Sequence, residues 1–230
     1  LKEEYGRIAK NARHPGRVRP LHIYSTQSRG YDSTAVNAIA KDFGIDKVFT
    51  IPNPRNNRTF GNIEVPTALN DDGSEICARL GLSCEHINRL ELESEFPEEY
   101  LFYASLHRRA DANLLGAIRK MSSPSLLLTG VLGEIWYPRN KTRQGTVSSE
   151  LARWDLSGHG LTEIRLATGF VQVAVPFIGA RSREDILRIT ESEEMKPWSL
   201  GTAYDRTIPR RIAETAGVPR SCFGQIKMAT

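Results

Sequence analysis

The segment Leu21 to Gly44 constrains this chain more than any other. A short apolar, β-branched run, Leu21 to Tyr24, gives way to the polar turn Ser28-Arg29-Gly30-Tyr31-Asp32-Ser33. Ala35, Val36, Ile39, Ala40 and Phe43 then follow at helical spacing. Strand, small polar loop and helix start is the order in which proteins build a phosphate cradle. The start of a helix offers unpaired N–H groups and the positive end of its dipole. Hydroxyl side chains add donors, and Gly30 lets the backbone approach an anion closely. Read for structure alone, the same residues are a helix cap in which Asp32 or Ser33 satisfies orphan N–H groups.

The rest of the chain fits that start. A second strand is expected at Lys47 to Ile51, followed by a Pro/Asn/Arg-rich loop to Gly61. Asp71-Asp72-Gly73-Ser74 opens a helix to about Leu80, with Gly81 as its stop. Cys84 to Ile87 predicts a short strand, Pro97 to Met121 a largely helical region, and Ser125 to Thr129 a buried strand. Residues 145–230 read as a mostly helical C-terminal part, with helices at Arg183 to Thr190 and Pro209 to Ala216. Residues 1–20 read as a polar lead-in that starts with a helix and ends in the Pro15 to Pro20 stretch. Strands alternating with helices predict an α/β, Rossmann-like fold with a parallel sheet over 21–230. Such sheets bind ligands at the carboxyl ends of their strands, where the Ser28 loop falls.

Composition excludes several classes. The 230 residues are 40% hydrophobic and 25% charged, an ordinary globular balance that permits a core without disulfides. Cys77, Cys84 and Cys222 form no CxxC pair, and the five histidines show no metal-ligand spacing. There is no Walker A sequence, no GxGxxG after a strand, no nucleophile elbow and no RNA-binding aromatic signature. No stretch is apolar and long enough to span a bilayer, and no signal peptide is visible, so a cytoplasmic protein is expected. The chain starts at Leu1 without a methionine, which fits a piece of a longer protein and gives that absence little weight. The net charge of +4 is uneven: 1–20 and 196–230 are each basic, and the middle is acidic. Basic ends attract nucleic acid, a membrane or a polyanionic nucleotide. For the N-terminal cluster a solvated surface is the preferred reading.

Four segments together resemble the synthetase domain of asparagine synthetases, within the PP-loop superfamily of N-type ATP pyrophosphatases. SRGYDS is similar to that superfamily's SGGxDS loop, with Ser28, Gly30, Asp32 and Ser33 matching and Arg29 in place of the first glycine. Thr129-Gly130-Val131-Leu132-Gly133-Glu134-Ile135-Trp136 resembles TGDGADELF, with Val131 where the family has an aspartate. Gly160 to Leu166 resembles GLEVRV, and Val175 to Ile178 the displaced continuation PFLD. The tail, Tyr204 to Glu214 and Val218 to Lys227, is similar to the late basic segments of that domain.

The resemblance implies ATP and Mg²⁺ as cofactors, with cleavage between the α- and β-phosphates. A carboxylate would be activated as an adenylate, and an amine or ammonia would displace AMP to give an amide. Ser28, Gly30 and Ser33 would cradle pyrophosphate, Asp32 would hold Mg²⁺, and Arg29 would add charge to the leaving group or block the loop. Glu134 would be the second acid, against the alternative of a surface acid. Lys227 and Arg210 would stabilise phosphate charge, against a solvated helix face for Arg210-Arg211. The Pro52 to Gly61 loop, with Arg55 and Arg58, would meet the adenosine part or lie in solvent. The partners implied are a small carboxylate and an amine donor, with the glutaminase activity on another domain or subunit. Nucleic acid is the weaker partner, as in a tRNA-modifying member of the superfamily, and the third possibility is a nucleotide-binding domain that has lost catalysis.

Overall fold

The computed structural model describes residues 1–52, 70–88, 115–137, 165, 168–201 and 205–223. Lys227, Arg55, Arg58, His107, the stretch Gly160 to Ile164 and most of the helix expected from Pro97 lie outside them. Five strands form one parallel sheet: β1 (His22–Gln27), β2 (Lys47–Thr50), β3 (Cys84–His86), β4 (Ser125–Thr129) and β5 (Phe170–Ala174). Their order is β3-β2-β1-β4-β5. The α-helices among the described residues are α1 (Lys2–Ala12), α2 (Tyr31–Ala40), α3 (Ser74–Leu80), α4 (Leu115–Arg119), α5 (Arg183–Thr190) and α6 (Thr207–Thr215). The expected α/β fold with a Rossmann-like parallel sheet is therefore the observed one.

The central strand shows why the sheet is covered on both sides. Ile23 points into a core with Leu126, Leu128, Ala35, Val36 and Ile39. Tyr24, its neighbour, points to the opposite face, among Phe49, Leu127, Ile118 and Phe170. Successive side chains of a strand face opposite ways, so a strand with apolar residues at consecutive positions needs two apolar layers. Helices α1 and α2 supply one layer, and α4 contributes to the other.

Two expectations change. The stretch 1–20 is more than a lead-in, since α1 buries Tyr5, Ala9 and Ala12 in the first core and Tyr5 meets Phe43 edge-on at 5.6 Å. Its charges are settled at the surface, by Arg7 with Glu3 and Glu4 and by Arg13 with Asp46 at 2.9 Å. The C-terminal part, expected to be mostly helical, also supplies edge strand β5, paired with β4 from Ser125↔Phe170 to Thr129↔Ala174. Phe170 is buried but Val171 is exposed, so this strand lacks the continuous apolar run that marks a central one. The three cysteines are free thiols. Among the described residues no helix is long and apolar enough to cross a membrane.

Candidate functional site

The strand order reverses between β1 and β4, because the chain runs outward through β2 and β3 and then crosses back to β4. Loops leaving the carboxyl ends of two strands that diverge in this way leave a crevice between them. The Ser28–Gly30 loop leaves β1, and the Gly130–Leu132 loop leaves β4.

Helix α2 begins at Tyr31 with Gly30 as its N-cap, and no side chain caps it. The cap alternative for Asp32 and Ser33 therefore fails: both lie in the first turn. Asp32 is favoured there by the helix dipole. Ser33 instead braces the loop. Its hydroxyl accepts the Ser28 N–H at 3.2 Å and lies 2.9 Å from the Ser28 hydroxyl. The Ser28 hydroxyl in turn accepts the Gly30 N–H at 3.1 Å. Buried Gln27 donates to the Ser28 carbonyl at 2.6 Å and to the Thr34 hydroxyl at 3.0 Å, and Asn37 donates to the Gln27 amide oxygen at 2.7 Å. These bonds tie the loop to β1 and α2, and among the described residues Asn37 Oδ1 alone of the amide oxygens in this network has no hydrogen-bond partner.

The β4 loop closes on Asp32. A Cβ at Gly130 would lie 2.8 Å from the Ser33 nitrogen, and one at Gly133 would overlap the Asp32 carboxylate. Only glycine permits so close an approach. Leu132 between them takes a left-handed backbone, φ 68°, which is uncommon for a residue with a side chain and tends to occur at functional loops. The Tyr137 hydroxyl donates to Asp32 Oδ2 at 3.4 Å, and the Arg206 guanidinium lies 3.3 Å over the Tyr137 ring. Glu134 is half-buried in the short 3₁₀ turn Gly133–Trp136. Buried Arg183 feels its charge, which partly offsets the downward push of burial on that guanidinium. The surface-acid alternative for Glu134 is thus replaced by a half-buried acid facing a buried base.

The remaining predicted residues divide. Arg29 does not extend freely across the loop: its Nε donates to the Cys222 carbonyl at 3.3 Å and its backbone N–H donates to Asp71 at 2.7 Å. Arg210 is no solvated residue. It is fully buried, donates from Nη2 to the Tyr31 hydroxyl at 2.8 Å, and lies 4.8 Å from the centre of the Tyr31 ring. Phe223 meets the same ring edge-on at 5.1 Å. Arg210 therefore braces the first residue of α2 and offers no surface to a ligand in this state. Arg211 pairs with Glu194 at 2.6 Å and lies 4.9 Å from the Trp198 ring.

Sequence reasoning missed Asp71, Asp72, His86, Tyr137, Arg183 and Arg206. Asp71 is buried beside the loop, where burial pushes its carboxyl up to about 6. Asp72 accepts the Ser74 N–H at 2.9 Å and pairs with His86 at 3.0 Å. The signal was present: Asp71-Asp72 follow β2, and His86 ends β3, at the carboxyl ends where ligands bind. Locally, however, the sequence marks them only as a helix start and a strand.

Among the described residues no three metal-ligating side chains converge. Mg²⁺ does not need such a cage, since it is often held by one carboxylate together with substrate phosphates. Asp32, at the mouth of the crevice, fits that mode. Compared with models of known protein families the chain matches none, and no curated protein is significantly similar to it.

Proposed function

We propose that this chain is an ATP-dependent, AMP-forming carbon–nitrogen ligase domain of the asparagine-synthetase type. One observation carries the reading: the Ser28–Ser33 loop joins the carboxyl end of β1 to the uncapped N-terminus of α2, and Asp32 there faces the glycine loop of β4 at the topological switch point. A helix start with small residues around it binds phosphate through N–H groups and the dipole. The nucleotide phosphates would lie over Gly30 to Ser33, with the hydroxyls of Ser28 and Ser33 holding the loop open in a fixed shape.

Mg²⁺, when bound with ATP, would neutralise phosphate charge and favour departure of pyrophosphate. Asp32 would be its protein ligand, and the Tyr137 hydroxyl would hold the carboxylate in place. Glu134 would be the second acid, with the buried Arg183 guanidinium feeling its charge. Lys227 would stabilise developing phosphate charge by contact. Arg210 would act on the loop through Tyr31, since a buried guanidinium has no face for a phosphate. Donors fixed before the reaction cost no reorganisation when charge develops, which makes such a frame effective. The acyl acceptor would be ammonia or an amine delivered by another domain, another subunit or solution.

Val131, in place of the family's aspartate, favours a second reading, in which the domain binds nucleotide without turning it over. One experiment separates the two. AMP and pyrophosphate formation from ATP is measured over a panel of small carboxylates and amines, for wild type and Asp32→Asn. The ligase reading predicts paired release by wild type with at least one carboxylate and none by the variant. ATP binding without pyrophosphate release across the panel supports the second reading, and full activity of Asp32→Asn refutes the assigned role.

A further inference from the structure

We propose that Asp71 is a positioning residue of the Ser28–Ser33 loop whose carboxylate competes with an incoming phosphate group, so that anion binding there is accompanied by proton uptake at Asp71. The inference rests on the phosphate-binding reading of that loop and adds a regulator to it.

The geometry is specific. Asp71 follows β2, and its own N–H is anchored to the Pro52 carbonyl at 3.0 Å. Its neighbour Gly73 donates to the Thr50 hydroxyl at 2.8 Å, and a Cβ at Gly73 would lie 2.9 Å from the Gln27 carbonyl oxygen. The segment is thus packed onto the ends of β1 and β2. From there the buried Asp71 side chain reaches the loop, and Oδ1 accepts the Arg29 N–H at 2.7 Å. Arg29 stands in the middle of the loop, immediately before the N-cap of α2. In a loop that receives an anion through backbone N–H groups, this donor already holds a negative oxygen supplied by the protein itself.

The charged groups facing Asp71 among the described residues are few. Arg29, on the loop, attracts the carboxylate, and Asp72, next in sequence, repels it. Asp72 is itself paired with His86 of β3. Burial outweighs the attraction of Arg29 and its N–H, and holds the Asp71 carboxyl near 6 rather than in the usual carboxylate range. The group is therefore ionised at neutral pH but close to taking up a proton. A second negative charge a few ångströms away raises a carboxylate's affinity for protons further. A polyanion in the loop is that charge. Protonation removes the repulsion and weakens the hold of Oδ1 on Arg29, freeing its N–H for the ligand.

The test uses inorganic pyrophosphate with Mg²⁺, titrated calorimetrically into wild type, Asp71→Asn and Ser33→Ala from about pH 5 to about pH 8, in buffers of different ionisation enthalpy. Asparagine keeps the size and the acceptor of Asp71 but not its charge. At the alkaline end Asp71→Asn binds at least about threefold more tightly than wild type, and at the acid end the two converge, as linkage requires. Comparing the two proteins removes the titration of pyrophosphate itself. Wild type takes up protons on binding beyond those taken up by the variant. Parallel pH profiles in wild type and Asp71→Asn, with binding that Ser33→Ala weakens, overturn the coupling and leave the site reading standing. Absence of binding at every pH overturns both. The Arg29 amide resonance of the ligand-free wild type gives an independent check: it moves through a titration near the Asp71 midpoint, and a flat resonance overturns the proposal whatever the calorimetry shows.

Discussion

Replacing Asp71 by Asn should stabilise this protein, and more so as pH rises. Burial lifts the Asp71 carboxyl from 3.8 to about 6. Its folded-state pKa is therefore above its unfolded value, and the folded state holds the proton more tightly. Well below about pH 4 both states are protonated and the residue costs nothing by this route. As pH rises from there to about 6, the unfolded chain ionises first and gains free energy that the folded chain does not. Above about 6 both are ionised and the penalty is complete. A shift from 3.8 to about 6 amounts to roughly 3 kcal/mol at about 1.4 kcal/mol per unit. Asn cannot ionise and still accepts the Arg29 N–H, so it escapes that penalty. Urea unfolding of both proteins between about pH 4.5 and about pH 7.5 reads the difference, with every other carboxylate common to both. The gap should be small at the acid end and grow to about 2–3 kcal/mol in favour of Asp71→Asn at the other. A gap that is constant with pH, or one that turns against the variant as pH rises, would show that the carboxylate is stabilised where it lies and would refute the reasoning.

Two further substitutions probe the frame of the site. Gly133→Ala puts a methyl into the space of the Asp32 carboxylate; it should cost about 1–3 kcal/mol by overpacking and weaken Mg²⁺-ATP binding, as read by urea unfolding and calorimetry. Arg210→Met keeps the volume packed on Tyr31 and removes a cation whose Nε and Nη1 have no hydrogen-bond partner. The variant should unfold within about 1 kcal/mol of wild type, or at higher urea, because a buried charge is often replaced by an apolar group without loss. A large loss of stability would mean that the Tyr31 hydrogen bond outweighs the cost of burying the charge.

The fold was legible where local chemistry and tertiary role agree. Alternating strand and helix signals placed β1, β2, β3 and β4 within a few residues, and Gly81, at φ +70°, ends α3 as expected. The edge strand β5 was not legible, because Phe-Val-Gln-Val-Ala alternates weakly and borrows its order from β4. Helix α1 read as polar because two of its three buried residues are alanines, which mark a close approach of helices more than a greasy face. In the site, the loop residues Ser28 to Ser33 follow one another in sequence, so a motif exposes them. Tyr137, Arg183 and Arg206 reach it from separate segments and have no local signature. Arg210 was visible as a charge, but nothing in Arg210-Arg211 tells which of the pair turns inward. The packing of Tyr31 and Phe223 decides that.

Binding of Mg²⁺-ATP, measured by calorimetry for wild type, Asp32→Ala and Ser33→Ala, decides whether the Ser28–Ser33 loop holds the nucleotide. Wild type should bind, and both substitutions should weaken binding, Asp32→Ala through the metal and Ser33→Ala through the braced loop. Wild-type binding that neither substitution alters would put the nucleotide elsewhere on the protein and contradict the assignment of the Ser28–Ser33 loop as its phosphate cradle.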